Sequence, residues 1–317
     1  MSAPLAVSRP AVTLRPAPVT RRPAGRRGWR YGLTAALFLL PSLAIILLVT
    51  IAPMLGATWV SLHDWNLISP MSWAGLDNYE RVLTDRHTWR AFGFTLYYVA
   101  GYLPLVYAGG LGLAVALNAR LRGRSFFRLV YFLPVVSSWV VAAIIWQWLL
   151  QPSSGVVNRL LAVVGIQGPG WYTEDAWTMP SVILASAWKD VGFVMIIMLA
   201  GLQAIPQELL DAASIDGANR WQRFWRVTFP LLTPTTFFVV VTSLIGGLQV
   251  FDQVYIMTTD YRGGASSTEV VVGQIYDLTF RYGRVGEASA LSWVLFAVIL
   301  VFTLVQFRGQ RRWVSYD

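Results

Sequence analysis

The chain contains no cysteine, only two histidines and a single lysine, Lys189. The first absence rules out disulfides, thiolate zinc sites and iron–sulfur clusters, and the second leaves His63 and His87 too few to build a histidine metal centre. No metal or other cofactor is expected. Because the one lysine is followed by Asp190, the chain also lacks the Gly-rich turn closing on Gly-Lys-Ser or Gly-Lys-Thr that cradles nucleotide phosphates. It therefore has no ATP-hydrolysing site of its own. Charge of either sign is scarce, at 13% of residues against 56% apolar. A soluble domain carries about 25% charged residues, so this chain cannot be wetted all round. No convincing nucleophile, base or metal constellation is present, and an enzyme is not expected.

What the sequence does have is long runs without a charge. An ionised group at bilayer depth costs several kcal/mol, and about 20 apolar residues suffice to cross, so such runs locate membrane spans. Five are plain: Tyr31 to Leu62, Ala91 to Ala119, Leu129 to Asn158, Val227 to Phe251 and Ala288 to Phe307. A sixth, Ala176 to Gln207, is interrupted only by Lys189 and Asp190. The expectation is an all-α polytopic membrane protein of six transmembrane helices, residues 31–307. A basic cytoplasmic tail, 1–30, precedes it, and a cytoplasmic tail, 308–317, follows it.

The net charge of +9 comes almost entirely from arginine. A basic balance suggests nucleic acid at first, but these arginines sit at the ends of apolar runs and not along one polar face. Seventeen fall on one side of the expected topology, including Arg120, Arg122, Arg124 and Arg128, and seven on the other. The positive-inside rule then places both termini in the cytoplasm, as an even number of crossings requires. The first apolar run is longer than a signal-peptide core, so the arginine- and proline-rich start reads as a disordered tail before a retained helix. Pro41, Pro53, Pro104 and Pro134 fall inside spans and predict kinks, while Gly109, Gly110 and Gly112 predict close helix approach.

Between the fourth and fifth spans, residues 206–230 read as two short helices separated by Gly217. Proline and Glu208 suit the start of the first, and a glycine after its last turn suits the left-handed closure. Leu209, Ala212, Ala213 and Asp216 share one face by helical period. That face suits docking on a partner. A helix lying in the membrane interface, anchored by Trp221, Phe224 and Trp225, is the alternative that periodicity leaves open.

The wording of this segment resembles the cytoplasmic coupling loop, the EAA loop, of binding-protein-dependent ABC importer permeases. Its signature is Glu-Ala-Ala, three residues, Gly, nine residues, then Ile-x-Leu-Pro. The chain has Asp211-Ala212-Ala213, Gly217 and Val227-Thr228-Phe229-Pro230, with every spacing kept. Further matches to the sugar-importing, maltose and glycerol-3-phosphate type branch are Ala74-Gly-Leu-Asp-Asn-Tyr79, Phe132-Leu-Pro134, Ala200-Gly-Leu-Gln-Ala-Ile-Pro206 and Phe251-Asp252. The family's outer-loop Gly-Gly-Pro is reduced to Gly263-Gly264. The resemblance implies a type I ABC importer permease fold, two separate ATPase subunits, a second permease, an external substrate-binding protein and a sugar cargo. It also implies that Glu208, Asp211, Ala212, Ala213, Asp216 and Gly217 meet the ATPase, and that rigid-body rotation of the permeases switches access.

Intramembrane polar groups are the first place to seek a cargo site. Ser186, Lys189, Asp190 and Phe193 share one face of the fourth span, which in maltose-type permeases lines the sugar site. A structural ion pair within the bundle is the competing reading. Gly247, Gln249, Val250 and Asp252 in the fifth span are the next candidates, and Trp139 in the third could stack on a sugar ring or simply fill the core. Lys189 leaves an anionic cargo open. A polyol, amino sugar or glycerol phosphate remains an alternative to a simple sugar. An ion-gradient transporter would leave residues 211–230 unexplained.

Overall fold

A computed structural model describes residues 27–119, 122–258 and 268–313. The basic tail up to residue 26 and the Gly263-Gly264 pair lie outside the described residues. The chain divides into two compact units, 1–55 and 56–317.

In the first unit, α1 (Arg27–Ile46) runs into a π-helical turn, Leu47–Ile51, where the Ala52 N–H reaches back to the Leu47 carbonyl. Pro53 comes one residue after that bond. A helical proline cannot donate to the carbonyl four residues back and its ring pushes against it, and the wider turn relieves both problems. The same device recurs at Phe224–Thr228, where Phe229 N–H bonds to the Phe224 carbonyl and Pro230 follows. None of the apolar side chains along 32–51 is buried; Phe38 is 80% exposed. Such a helix needs hydrocarbon or a partner around it.

Helix α2 (Ala52–Ser61) carries the boundary at residue 56, and the second unit continues with a short antiparallel pair that composition did not predict, β1 (His63–Asp64) on β2 (Ser72–Trp73). Helix α3 (Asp77–Thr84) follows. The Ala74 to Tyr79 motif explains itself here: Gly75 takes φ +59°, and buried Asn78 donates from one amide to the carbonyls of Ser61 and His63, both at 3.0 Å. The Tyr79 hydroxyl also meets Ser61 Oγ at 2.8 Å. Asn78 thus ties the end of one span to the following helix. Asn78→Ala strands two buried carbonyls and is expected to cost about 2–4 kcal/mol, read as a lower thermal midpoint of the purified chain in detergent.

Helix α4 (Arg86–Asn118) starts at Asp85, whose carboxylate accepts from the His87 N–H. It is followed by α5 (Arg124–Val136) and α6 (Trp139–Leu149), bent by 102°. Pro134 and the Ser137–Ser138 pair sit at the bend, where Ser138 caps α6. Next come the short α7 (Val156–Val163) and the long α8 (Asp175–Ala204). The coupling segment holds α9 (Gln207–Ile215), α10 (Arg220–Arg223), the second π turn and α11 (Phe229–Leu231). Helices α12 (Thr233–Leu248), α13 (Asp252–Thr258), α14 (Val271–Phe280) and α15 (Val285–Trp313) complete the order.

Among the described residues, four helices are long and apolar enough to cross a bilayer unbroken, and two bent pairs bring the number to six if each is one span. The bent pairs are the third and fifth expected crossings, so the charge-free runs located them without revealing their breaks. The final helix also runs on past residue 307 to Trp313.

Helix α8 is the axis of the bundle and packs against α4, α5 and α12. Small residues permit this. A Cβ at Gly192 would lie 2.0 Å from the Tyr131 carbonyl oxygen, and one at Gly110 would lie 2.4 Å from Val194. Close approach of this kind replaces the hydrophobic drive that lipid cannot supply between helices. Gly109 takes part, but Gly112, expected to share the same packing face, meets nothing within 4 Å.

Candidate functional site

Where α8 passes α4 and the end of α12, a cavity of about 400 Å³ opens within the bundle. This lies in the range that holds small ligands. Seven residues singled out from the sequence line it: Trp139, Asp190, Phe193, Gly247, Gln249, Val250 and Asp252. Residues from α6, α8 and α12 and from the start of α13 are thus brought together across more than a hundred positions of chain.

Two of the expected residues do not line it. Ser186 is fully buried and donates to the Val182 carbonyl of its own helix, and its hydroxyl also meets that of Tyr98 behind the cavity wall. Lys189 is buried too, but its Nζ donates to the Val135 carbonyl at 3.2 Å and sits 4.9 Å from the Trp139 ring centre. It caps the broken end of α5, whose last carbonyls have no helical partner. The helical period placed both on one broad face with Asp190; it could not say that α5 bends away just there and takes the ammonium with it.

Asp190 turns the other way and accepts from the Tyr102 hydroxyl at 2.9 Å. Tyr102 stacks on Tyr98 with centroids 5.3 Å apart and planes at 11°, and Gln253 donates to the Tyr98 hydroxyl at 3.2 Å. Sequence reasoning missed Tyr98, Tyr102 and Gln253, together with Thr242 and Ser243, all of which line the cavity. The signal was available for the tyrosines: two hydroxyls four residues apart in an apolar span share a helical face and need partners. The charged lining residues are Asp190 and Asp252, both carboxylates. The surface therefore offers rings, neutral hydrogen-bonding groups and negative charge.

At the coupling segment, Gly217 takes φ +81°, and Ala218 N–H bonds back to the Ala213 carbonyl at 3.0 Å. This is the glycine-closed helix end that the spacing predicts. Asn219 and Gln222 then form a reciprocal capping box that starts the next helix. Arg223 donates to Ser214 Oγ at 2.9 Å, holding the two helices together. Glu208, Asp211, Ala212, Asp216 and Gly217 are exposed and Ala213 partly so. Gln207 donates to Asp211 at 3.0 Å, which orients the carboxylate on the helix surface.

Residues 108–313 match the family described as the binding-protein-dependent transport system inner membrane component. The chain is 34% identical over 276 residues to the trehalose/maltose transport system permease protein MalF of Thermococcus litoralis, covering 87% of this chain and 92% of that protein. It is 35% identical over 285 residues to the lactose transport system permease protein LacF of Rhizobium radiobacter, covering 89% and 95%. A solved bacterial ABC transporter involved in the import of the acidic polysaccharide alginate contains a chain that superposes with TM-score 0.80 at 27% identity, covering 91% of this chain and 99% of that one. The same type of transporter has been solved in complex with an alginate pentasaccharide-bound periplasmic protein. Members of the family work with a second permease and with ATPase subunits. With the family model matching well over half of the residues and relatives above 30% identity along most of their length, the chain is a member of the binding-protein-dependent transport system inner membrane component family, with the type I fold of an ABC importer permease.

Proposed function

We propose that the chain forms half of the translocation pathway for a sugar or sugar derivative, with the cavity beside Asp190 as its cargo site. The observation that carries this reading is the lining of that cavity. Trp139 and Phe193 provide flat apolar rings, and Tyr102, Gln249 and Asp190 provide hydroxyl partners around them. A pyranose has apolar C–H faces and hydroxyl edges and matches both. The trehalose/maltose and lactose permeases among the relatives support the same class.

With Lys189 turned away and two carboxylates present, a neutral or amino sugar suits this half of the pathway better than a glycerol phosphate. Both termini lie in the cytoplasm, a reading that rests on the arginine distribution. Residues 1–30 and 308–317 are then cytoplasmic, and 206–230 couples the six-span domain to two separate ATPase subunits. A second permease completes the pathway and an external binding protein delivers the cargo. Exposure of Glu208, Asp211, Ala212 and Asp216 supports ATPase docking over the interfacial-helix alternative, because an interfacial helix would present an apolar face and not three acids to the bilayer.

The test is co-expression with the neighbouring transporter genes, as wild type and as Gly217→Pro. Proline cannot take φ +81° and removes the N–H that bonds to Ser214, so recovery of the ATPase with the permease should fall about tenfold or more. A wild type that purifies alone and moves sugar down an ion gradient would overturn the reading.

A further inference from the structure

Phe251 borders the Asp190 cavity and also lines a second cavity, of about 250 Å³, beside Tyr255, Glu269, Asp277 and Arg281. From Phe251 a chain of rings leads away from the first cavity. The Phe251 centroid lies 5.1 Å from Tyr255 and 5.3 Å from Tyr276, and those two tyrosines lie 5.1 Å apart. Tyr276 continues to Phe280 at 4.9 Å. Exposure rises along this path, from partly buried Phe251 to Phe280 at 70%.

The buried residues of α14 are Val271, Gln274, Asp277 and Leu278, while Tyr276 is partly buried and Phe280 exposed. Polar groups flank the rings, with Arg281 paired to Asp277 at 3.4 Å and Glu269 across the same cavity. The Tyr255 hydroxyl hydrogen-bonds to that of Tyr276. The second cavity thus joins the rings of Phe251 and Tyr255 to charged groups of both signs, with Tyr276 and Phe280 continuing the ring path beside it.

We propose that Phe280, Tyr276 and Tyr255 form an outer stacking subsite that holds a further ring of an oligosaccharide and passes it along Phe251 into the Asp190 cavity. This rests on the sugar reading above. It makes the natural cargo an oligosaccharide, since a monosaccharide would occupy one cavity at a time. The rings act as a ramp: each offers a flat face of similar affinity, so the cargo advances without a deep trap between stations.

The complete transporter is probed by magnetisation transfer from protein to glucose and to α- and β-linked glucose oligomers of two, three and five rings, in wild type, Phe280→Ala, Tyr276→Ala and Tyr276→Phe. Losing one stacking face should weaken five-ring binding about three- to tenfold in both alanine variants and change glucose binding less than about twofold. Tyr276→Phe keeps the ring and should bind like wild type. Should Tyr276→Ala fail to assemble, Phe280→Ala decides, because that side chain is exposed. Wild-type binding of the oligomers with no loss in Phe280→Ala, or an equal loss at every length, overturns the ramp and leaves the sugar reading intact. A wild type that binds glucose but none of the oligomers overturns the ramp and leaves the sugar reading standing; the sugar reading falls if the complete wild-type transporter binds no neutral, amino or acidic sugar.

Discussion

Asp190→Asn lowers cargo uptake about 10- to 100-fold in proteoliposomes holding the complete transporter, while leaving its ATPase subunits bound. A hydrogen bond to a charged group contributes about 1.5–3 kcal/mol, and each 1.4 kcal/mol is a factor of ten in affinity. Asparagine keeps the shape and still accepts from Tyr102, so the tyrosine stack beneath it should survive. What disappears is the negative charge facing the cavity, and the loss should therefore fall on cargo KM more than on folding. The coupling segment is built from its own caps and its own Arg223–Ser214 contact, so ATPase recovery should be unchanged. Unaltered uptake in a correctly assembled Asp190→Asn transporter would remove this cavity from the pathway.

Gly192→Leu acts by a different route and is expected to be the more damaging to the fold. A Cβ there would stand 2.0 Å from the Tyr131 carbonyl oxygen and 3.0 Å from the Phe132 Cα. Both are backbone atoms of α5 and cannot swing aside as a side chain can, so α5 and α8 must part. Overpacking typically costs about 1–3 kcal/mol even where side chains can yield, and more is expected here. Parting these helices also withdraws the Val135 carbonyl from Lys189 and shifts Trp139 at the cavity wall. The expected result is a lower thermal midpoint in detergent and a transport loss of about tenfold or more. Gly112→Leu, at a position with nothing within 4 Å, is the matched control on the isolated chain and should leave its midpoint near wild type. Equal midpoints for the two variants would mean that α5 and α8 are not closely packed.

Several of the short motifs prove to be packing instructions at particular atoms. Asn78 fastens the end of a span to α3, Gly201 admits Thr235 and Leu232 of the coupling-side turn, and Pro134 stands where the third span breaks. The first helix of the coupling segment and its left-handed closure at Gly217 were readable because their determinants are local. The Asn219–Gln222 capping box, the π turn at Phe224–Thr228 and the separate α11 were not, and the second of the two expected helices is divided there. The small strand pair at His63–Trp73 was not readable, because two-residue strands carry no alternation to detect.

The sequence by itself determined the solvent of this protein, the place of the apolar runs that fold as four long helices and two bent pairs, and the left-handed turn at Gly217. Hydropathy, charge avoidance and helix capping all act over a few turns of one chain. Only the tertiary structure decided which polar groups meet. Ser186 and Lys189 share a broad helical face with Asp190, yet a break in α5 claims the lysine and a neighbouring carbonyl claims the serine. Tyr98, Tyr102 and Gln253 enter the cavity because α4 and α13 close on α8, at sequence separations that no periodicity spans. A helical period fixes the direction of a side chain about its own axis, but what lies in that direction depends on how glycines and breaks let the other helices approach.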